Sequence, residues 1–288
     1  MNYQLIGDSA IDLTDDYQNH LKITTIPFTI QVDGQDYIDN DRSKIPALRQ
    51  TMNEAKEVIK TACPSPYEYG QAFDEEADGI FIITISSKLS GSYNSAKLAA
   101  KDFMEKHPNK KVYVFDSKSA SAGQTNLGFY LADLINQDLG FDEIVEKTEA
   151  YIRGMKTFFI LESLHVLVKN GRIKKSAGLI LKTLNIKPIM QGVDGEIELF
   201  EINRGFKKAL DKLAKALGRF IEYSGDQILY ISHSNGKQKA ELFKEKIEAL
   251  YNFKKIVIVP TGGLSSAYAD DGGIVISFHP GAPLKEES

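Results

Sequence analysis

GIFIITISSKLSGSYNSAKLAAKDF, residues 79–103, carries the pattern that decides the fold. Gly79 to Ser86 is an apolar run without polar alternation, as in a strand covered on both faces, and such strands belong to parallel sheets. A turn rich in serine and glycine follows. Tyr93, Ala96, Ala99, Ala100 and Phe103 then recur at helical spacing along one face, and Pro108 closes the helix. Strand, polar turn and amphipathic helix are the repeating unit of an α/β protein.

The alternation continues outward from this stretch. Val112 to Phe115 (VYVF), Gln227 to Ser232 (QILYIS) and Ile256 to Pro260 (IVIVP) read as further strands buried on both faces. Phe206, Leu210, Leu213, Ala214, Leu217 and Phe220 share one helical face; Ala240, Phe243, Ile247 and Leu250 share another. At 288 residues the chain exceeds a single small core, and two domains are expected, 1–155 and 156–288. The first reads as a doubly wound, mostly parallel sheet. In the second, IKPIMQ and GEIELF flank a turn at Val193-Asp194-Gly195, so a hairpin and a mixed α+β sheet are expected. Ligands of open α/β sheets sit at the carboxyl ends of strands or between domains, so the loops after strands hold the interest.

Composition narrows the function. The formal charge of −4 argues against general nucleic-acid binding, although Lys169 to Arg219 holds twelve basic and five acidic residues. Cys63 stands alone, which excludes an intrachain disulfide or a CxxC pair, and the five histidines show no metal-ligand spacing. No metal or cofactor is expected. The opening MNYQLIGDSAIDL has no basic segment before an apolar one, and no window approaches the roughly 18 apolar residues of a membrane span, so a cytoplasmic protein is expected.

Four polar loops follow strands or open helices: Gly7-Asp8-Ser9 with Asp12, Thr61 to Pro66, Ser86 to Tyr93, and Asp116 to Gly123. Each alone is an ordinary helix cap. Together, at the edge where parallel strands end, they form a set of hydroxyl and N–H donors suited to an anion. GxGxxG, GxxxxGK[ST] and GxSxG are all absent, and no histidine lies near the serine loops in sequence. The hydroxyls therefore read as binding groups more than nucleophiles. A hydrolase or transferase using Ser90, with Tyr268 or a distant histidine, is the alternative. His233 is expected to be a satisfied loop histidine, and Asp8 and Asp116 to cap turns.

DSAIDL, TACPS, SSKLSGSYNSA, DSKSASAGQTNLG, LESLHVLVKNGRI and GLSSAYADDGGIVISF occur in the order seen in the DegV family, and the resemblance spans nearly the whole chain. It implies two α/β domains with a long-chain fatty acid, such as palmitate or oleate, in an apolar tunnel between them. It also implies a separate fatty-acid kinase as partner and no catalysis by the chain itself; a monomer is the default expectation. Carried over residue by residue, Thr61, Ser90 and Gly91 would hold the carboxylate, with Arg172 and Arg204 as basic groups near the mouth or the kinase surface. Where the family pattern AHxGPG has histidine, this sequence has Tyr268, and Asp270-Asp271 replaces Gly-Pro; Ala62 and Cys63 stand within the TxxPS loop. A tyrosine hydroxyl donates to a carboxylate but brings no positive charge near neutral pH. The two departures leave a carrier of another lipid or carboxylate as a further alternative. Phe28, Ile30, Phe158, Phe159, Ile160, Leu164, Leu179, Ile180, Leu184, Ile186 and Ile189 are available as apolar lining.

Overall fold

Residues 2–173, 185–221 and 225–281 are described by the computed structural model; Leu179, Ile180 and Leu184 lie outside them. From the start of the chain to Asp116 run β1 (Tyr3–Asp8), α1 (Asp15–Leu21), β2 (Ile23–Ile26), β3 (Thr29–Val32), β4 (Gln35–Ile38), α2 (Ile45–Glu54), β5 (Lys60–Ala62), α3 (Pro66–Gln71), β6 (Gly79–Thr84), α4 (Ser92–Lys106) and β7 (Lys111–Asp116). Four of these strands form a fully parallel sheet in the order β2-β1-β6-β7. Every residue of β6 is buried, as its unbroken apolar run requires. The order reverses at β1, so the loops leaving β1 and β6 turn to opposite sides and open a crevice at their carboxyl ends. A small antiparallel sheet, β4-β3-β5, was not apparent in the sequence; it pairs Thr61 with Ile30.

The chain continues through α5 (Ala122–Ile135), α6 (Phe141–Gly154), β8 (Lys156–Ile160), α7 (His165–Lys169), β9 (Ile189–Val193), β10 (Glu196–Glu201), α8 (Phe206–Ala216), β11 (Ile228–His233), α9 (Lys237–Glu248), β12 (Lys255–Pro260), α10 (Gly263–Ala269) and β13 (Ile274–Phe278). The second sheet is mixed, in the order β10-β9-β8-β13-β11-β12, and only β11 and β12 run parallel. Asp194 and Gly195 take φ of 47° and 86°, the left-handed pair that a two-residue hairpin turn needs between β9 and β10. Two readings change. β12 is an edge strand with Ile256 and Ile258 only half-buried, because no further strand covers it. Leu250 is 49% exposed: α9 ends at Glu248, and beyond that point helical spacing no longer sets which way a side chain faces.

Alternation along β8 separates two cores. Phe158 and Ile160 join Ile189, Leu210, Leu213, Phe243 and Phe278 beneath α8 and α9, whereas Phe159 and Leu161 point to the opposite face. That face meets α5, which contacts β1 and β6 on one side and β11 and β13 on the other. The N-terminal half of α5 is therefore buried all round, polar Gln124, Thr125 and Asn126 included. Gly123 allows the approach: a Cβ there would meet the Ser119 hydroxyl at 1.9 Å and that of Thr157 at 2.7 Å.

Glu162, just past β8, pairs with both Lys187 and Lys239, and Lys187 Nζ also donates to the Glu162 carbonyl at 2.8 Å. Burial pushes this carboxyl up, but the two ammonium groups outweigh it and hold it below its ordinary value. The unfolded chain therefore binds the proton more readily, and the pairing stabilises the fold above an ordinary carboxyl value of 4.5 and is lost as pH falls through the depressed one. Glu162→Gln is expected to lower stability by about 1 kcal/mol at neutral pH in urea titrations, with the difference from the unaltered protein fading under acid. A difference that persists unchanged at low pH would contradict this assignment.

Candidate functional site

Three carboxylates, Asp8 and Asp12 buried and Asp39 partly so, place the loops at the strand ends. Asp8, the last residue of β1, accepts from Ile85 N at 2.9 Å, Ser92 Oγ at 2.6 Å and Gln124 Nε2 at 2.7 Å, joining the loop after β6 to the starts of α4 and α5. Asp12 accepts from Ser121 Oγ and from Gly262 N at 2.8 Å. Asp39 accepts from Ser9 Oγ at 2.8 Å, Gly263 N at 2.8 Å and Leu264 N at 2.9 Å, using the free N–H groups at the start of α10. Burial raises all three above the ordinary carboxyl range, against the pull of these donors. Asp8 is thus more than a turn cap. Asp116 does cap a turn, accepting from Ser87 N at 3.1 Å and Lys118 N at 3.0 Å.

The loops so held surround a cavity of about 370 Å³. Its walls come from both halves of the chain. Ala10 follows β1, Ile85 and Leu89 follow β6, and Ala120 follows β7; Phe159, Leu161, Leu167, Ile197, Leu264 and Val275 belong to the second half. Phe159 and Val275 are directly opposed across β8 and β13. The size falls within the roughly 300–1,000 Å³ of small-molecule sites, and the lining is mostly apolar.

Thr61, Ser90, Gly91, Arg172 and Tyr268 all line this cavity. Thr61 Oγ1 lies 2.9 Å from Tyr268 OH, which brings β5 and α10 together across 207 positions of sequence. Arg172 donates from Nε to Leu89 O at 3.1 Å and also to Asn170 O, and Asn170 Nδ2 reaches Ile59 O at 2.9 Å. Ser90 Oγ accepts from Ser92 N at 3.2 Å. A Cβ on Gly91 would sit 3.3 Å from Cys63 Sγ, so the serine turn and the TACPS loop are neighbours. Tyr268 also lines a second, more polar cleft of about 360 Å³ with Arg49, Asn53, His165, Asp270 and Asp271, and so stands between a greasy interior and a wet exterior.

Other expected residues lie elsewhere. Arg204 is exposed, pairs through its backbone with Ile186, and does not line the cavity. Of the expected lining, Phe28 and Phe159 face the cavity, while Phe158, Ile160 and Ile189 face the other core because a strand sends alternate side chains to opposite sides. Ile30 packs with Val32 and Leu48, and Leu164 with the core around Phe159. Leu161 and Val275 could have been found from the same alternation. His233 is not satisfied: Nδ1 is buried with no hydrogen-bond partner among the described residues, and burial, then Arg49 and Lys237, push its pKa down. No histidine hydrogen-bonds to Ser90 among the described residues, and none of their Cys, His, Asp and Glu side chains cluster as a metal site.

A family model described as "Uncharacterised protein, DegV family" matches residues 2–280. The chain belongs to the DegV family. A DegV domain-containing protein of Streptococcus pneumoniae is 38% identical over 285 residues, covering 96% of this chain and 99% of the relative. Among solved structures, a DegV family protein from Ruminococcus gnavus with vaccenic acid superposes with a TM-score of 0.90 at 36% identity, covering 96% and 99% of the two chains. The Fatty Acid Kinase (Fak) B3 protein of Streptococcus pneumoniae, loaded with linoleic acid, gives 0.89 at 34% identity and covers 98% and 100%. DegV architecture, a parallel sheet joined to a mixed one, is therefore the architecture of this chain. No helix among its described residues is long and apolar enough to cross a membrane.

Because Asp8 ties together three loops around this cavity, Asp8→Ala leaves the Ser92 hydroxyl, the Gln124 amide and the Ile85 N–H without their acceptor. A loss of about 2–3 kcal/mol is expected in chemical denaturation. A change within experimental error would show that the loops hold their places without this carboxylate.

Proposed function

We propose that this protein binds a long-chain fatty acid, with palmitate or oleate as representative ligands, and presents its carboxyl group to a separate fatty-acid kinase. One observation carries the reading: a mostly apolar cavity whose lining includes Thr61, Ser90, Gly91, Arg172 and Tyr268, with Tyr268 shared between it and a more polar cleft. An aliphatic chain fits the first space and an acid's oxygens fit the boundary. Two relatives of this fold carry vaccenic and linoleic acids, and one of them is a fatty acid kinase protein.

The energetics agree with a carrier. About 15 methylenes at about 0.8 kcal/mol each offer on the order of 12 kcal/mol on burial, an upper figure. Hydrogen bonds to a carboxylate add about 1.5–3 kcal/mol each before desolvation is subtracted. The chain sets affinity; the donors set direction. Thr61 and Tyr268 satisfy each other at 2.9 Å and turn their hydroxyls to the carboxylate when it arrives. Arg172 supplies the positive charge that Tyr268 does not. Ser90 acts as a donor, since a nucleophile needs a base at hydrogen-bond distance. In this reading residues 1–155 and 156–288 are two domains that enclose one ligand in a cytoplasmic monomer, and Arg204, exposed, belongs to the kinase-facing surface.

Mass spectrometry of the denatured protein is expected to release a long-chain fatty acid, and palmitate or oleate to raise the melting temperature of delipidated protein. Affinity is expected to climb roughly tenfold per added pair of methylenes until the cavity is full. Ser90→Ala should weaken oleate binding by about fivefold to tenfold without abolishing it. Absence of lipid together with no thermal shift would overturn the reading, and ester turnover that disappears in Ser90→Ala would replace it with a hydrolase.

A further inference from the structure

The cavity wall contains a second polar group that the carboxylate does not use. Thr157 lies on β8 two residues before Phe159, so strand alternation turns it to the same face, into a cavity whose lining is mostly apolar. Ser119, only 6% exposed, comes from the loop after β7, and its Oγ sits 2.8 Å from Thr157 Oγ1. Both residues line the cavity, and no hydrogen bond links them to Thr61, Ser90 or Tyr268. The pair does not exhaust its own capacity. If Ser119 donates to Thr157, the Thr157 proton has no other acceptor among the described residues; if Thr157 donates, the Ser119 proton has only Ala120 O at 3.5 Å, beyond good hydrogen-bond distance.

We propose that the Ser119–Thr157 pair is a specificity site for a hydroxyl group on the acyl chain, so that this protein accepts hydroxy fatty acids. The inference rests on the fatty-acid reading above and adds a ligand class to it. A hydroxyl enclosed by apolar side chains loses its water and gains nothing, which excludes hydroxylated chains from a purely hydrocarbon tunnel. A hydroxyl set beside this pair both donates and accepts, so it completes whichever orientation the two side chains take. Sites that hydrogen-bond a substrate hydroxyl discriminate more sharply than sites that only sense size.

The test titrates delipidated protein with stearate and a positional series of monohydroxystearates, for the unaltered chain, Thr157→Val and Ser119→Ala. One isomer is expected to bind at least as tightly as stearate, with the others weaker by about tenfold. Thr157→Val, which keeps the shape, should weaken that isomer about tenfold and leave stearate unchanged, and the stearate result shows that the variant is folded. Ser119→Ala should act in the same direction. Stearate binding with no favoured isomer, or with stearate and the favoured isomer weakened equally by Thr157→Val, overturns this inference and leaves the fatty-acid reading standing. Failure of stearate and every isomer to bind overturns both.

Discussion

Asp8, Asp12 and Asp39 are the constraint on which the site depends. Each is a carboxylate largely withdrawn from water at or just after the end of a strand, Asp8 and Asp12 at β1 and Asp39 at β4, and each is held by N–H and O–H donors from segments distant in sequence. Burial alone would make them costly, and the donors offset that cost only if every loop is in place. Asp8 fixes the loops after β1 and β6 to α4 and α5. Asp12 and Asp39 reach Gly262, Gly263 and Leu264, which fixes α10 and with it Tyr268. A polar scaffold of this kind aligns groups that a purely apolar core would leave free to slide.

Around that scaffold, hydrophobic packing makes the enclosure. α5 lies between the two sheets, and its N-terminal half is buried on all sides, so the halves of the chain share a core instead of merely touching. The cavity opens where that shared core stops, at the carboxyl ends of β1 and β6, the crevice that the strand order creates. The lining divides in the same way: apolar side chains from both halves make most of its area, and a few hydroxyls and one guanidinium make its polar part.

The departures from the family pattern find places in this geometry. Tyr268 stands at the boundary of the apolar cavity and reaches Thr61, so the hydroxyl stays within a donor network although the charge of a histidine is gone. Asp270 and Asp271 line the polar cleft outside that boundary, away from the cavity. Cys63 sits against Gly91, where its small side chain leaves the serine turn close to the TACPS loop.

Local pattern by itself determined much of this protein. The unbroken run at Gly79 to Ser86 gave a buried parallel strand, helical spacing marked α4, α8 and α9, and Asp194-Gly195 marked a hairpin, because each follows from side-chain periodicity or from allowed φ over a few residues. The motifs also picked out Thr61, Ser90, Gly91, Arg172 and Tyr268, which the fold brings to one cavity. Tertiary structure alone decided the rest. Whether Phe158 or Phe159 faces the cavity depends on which side of β8 meets α5, and a pair such as Ser119 and Thr157 exists only once the loop after β7 is docked on β8. Arg204 shows the same limit from the other side: a basic residue expected near the mouth is held where its backbone pairing with Ile186 puts it, off the cavity lining. Sequence records the periodicity of one element; burial is a property of the face that another element covers.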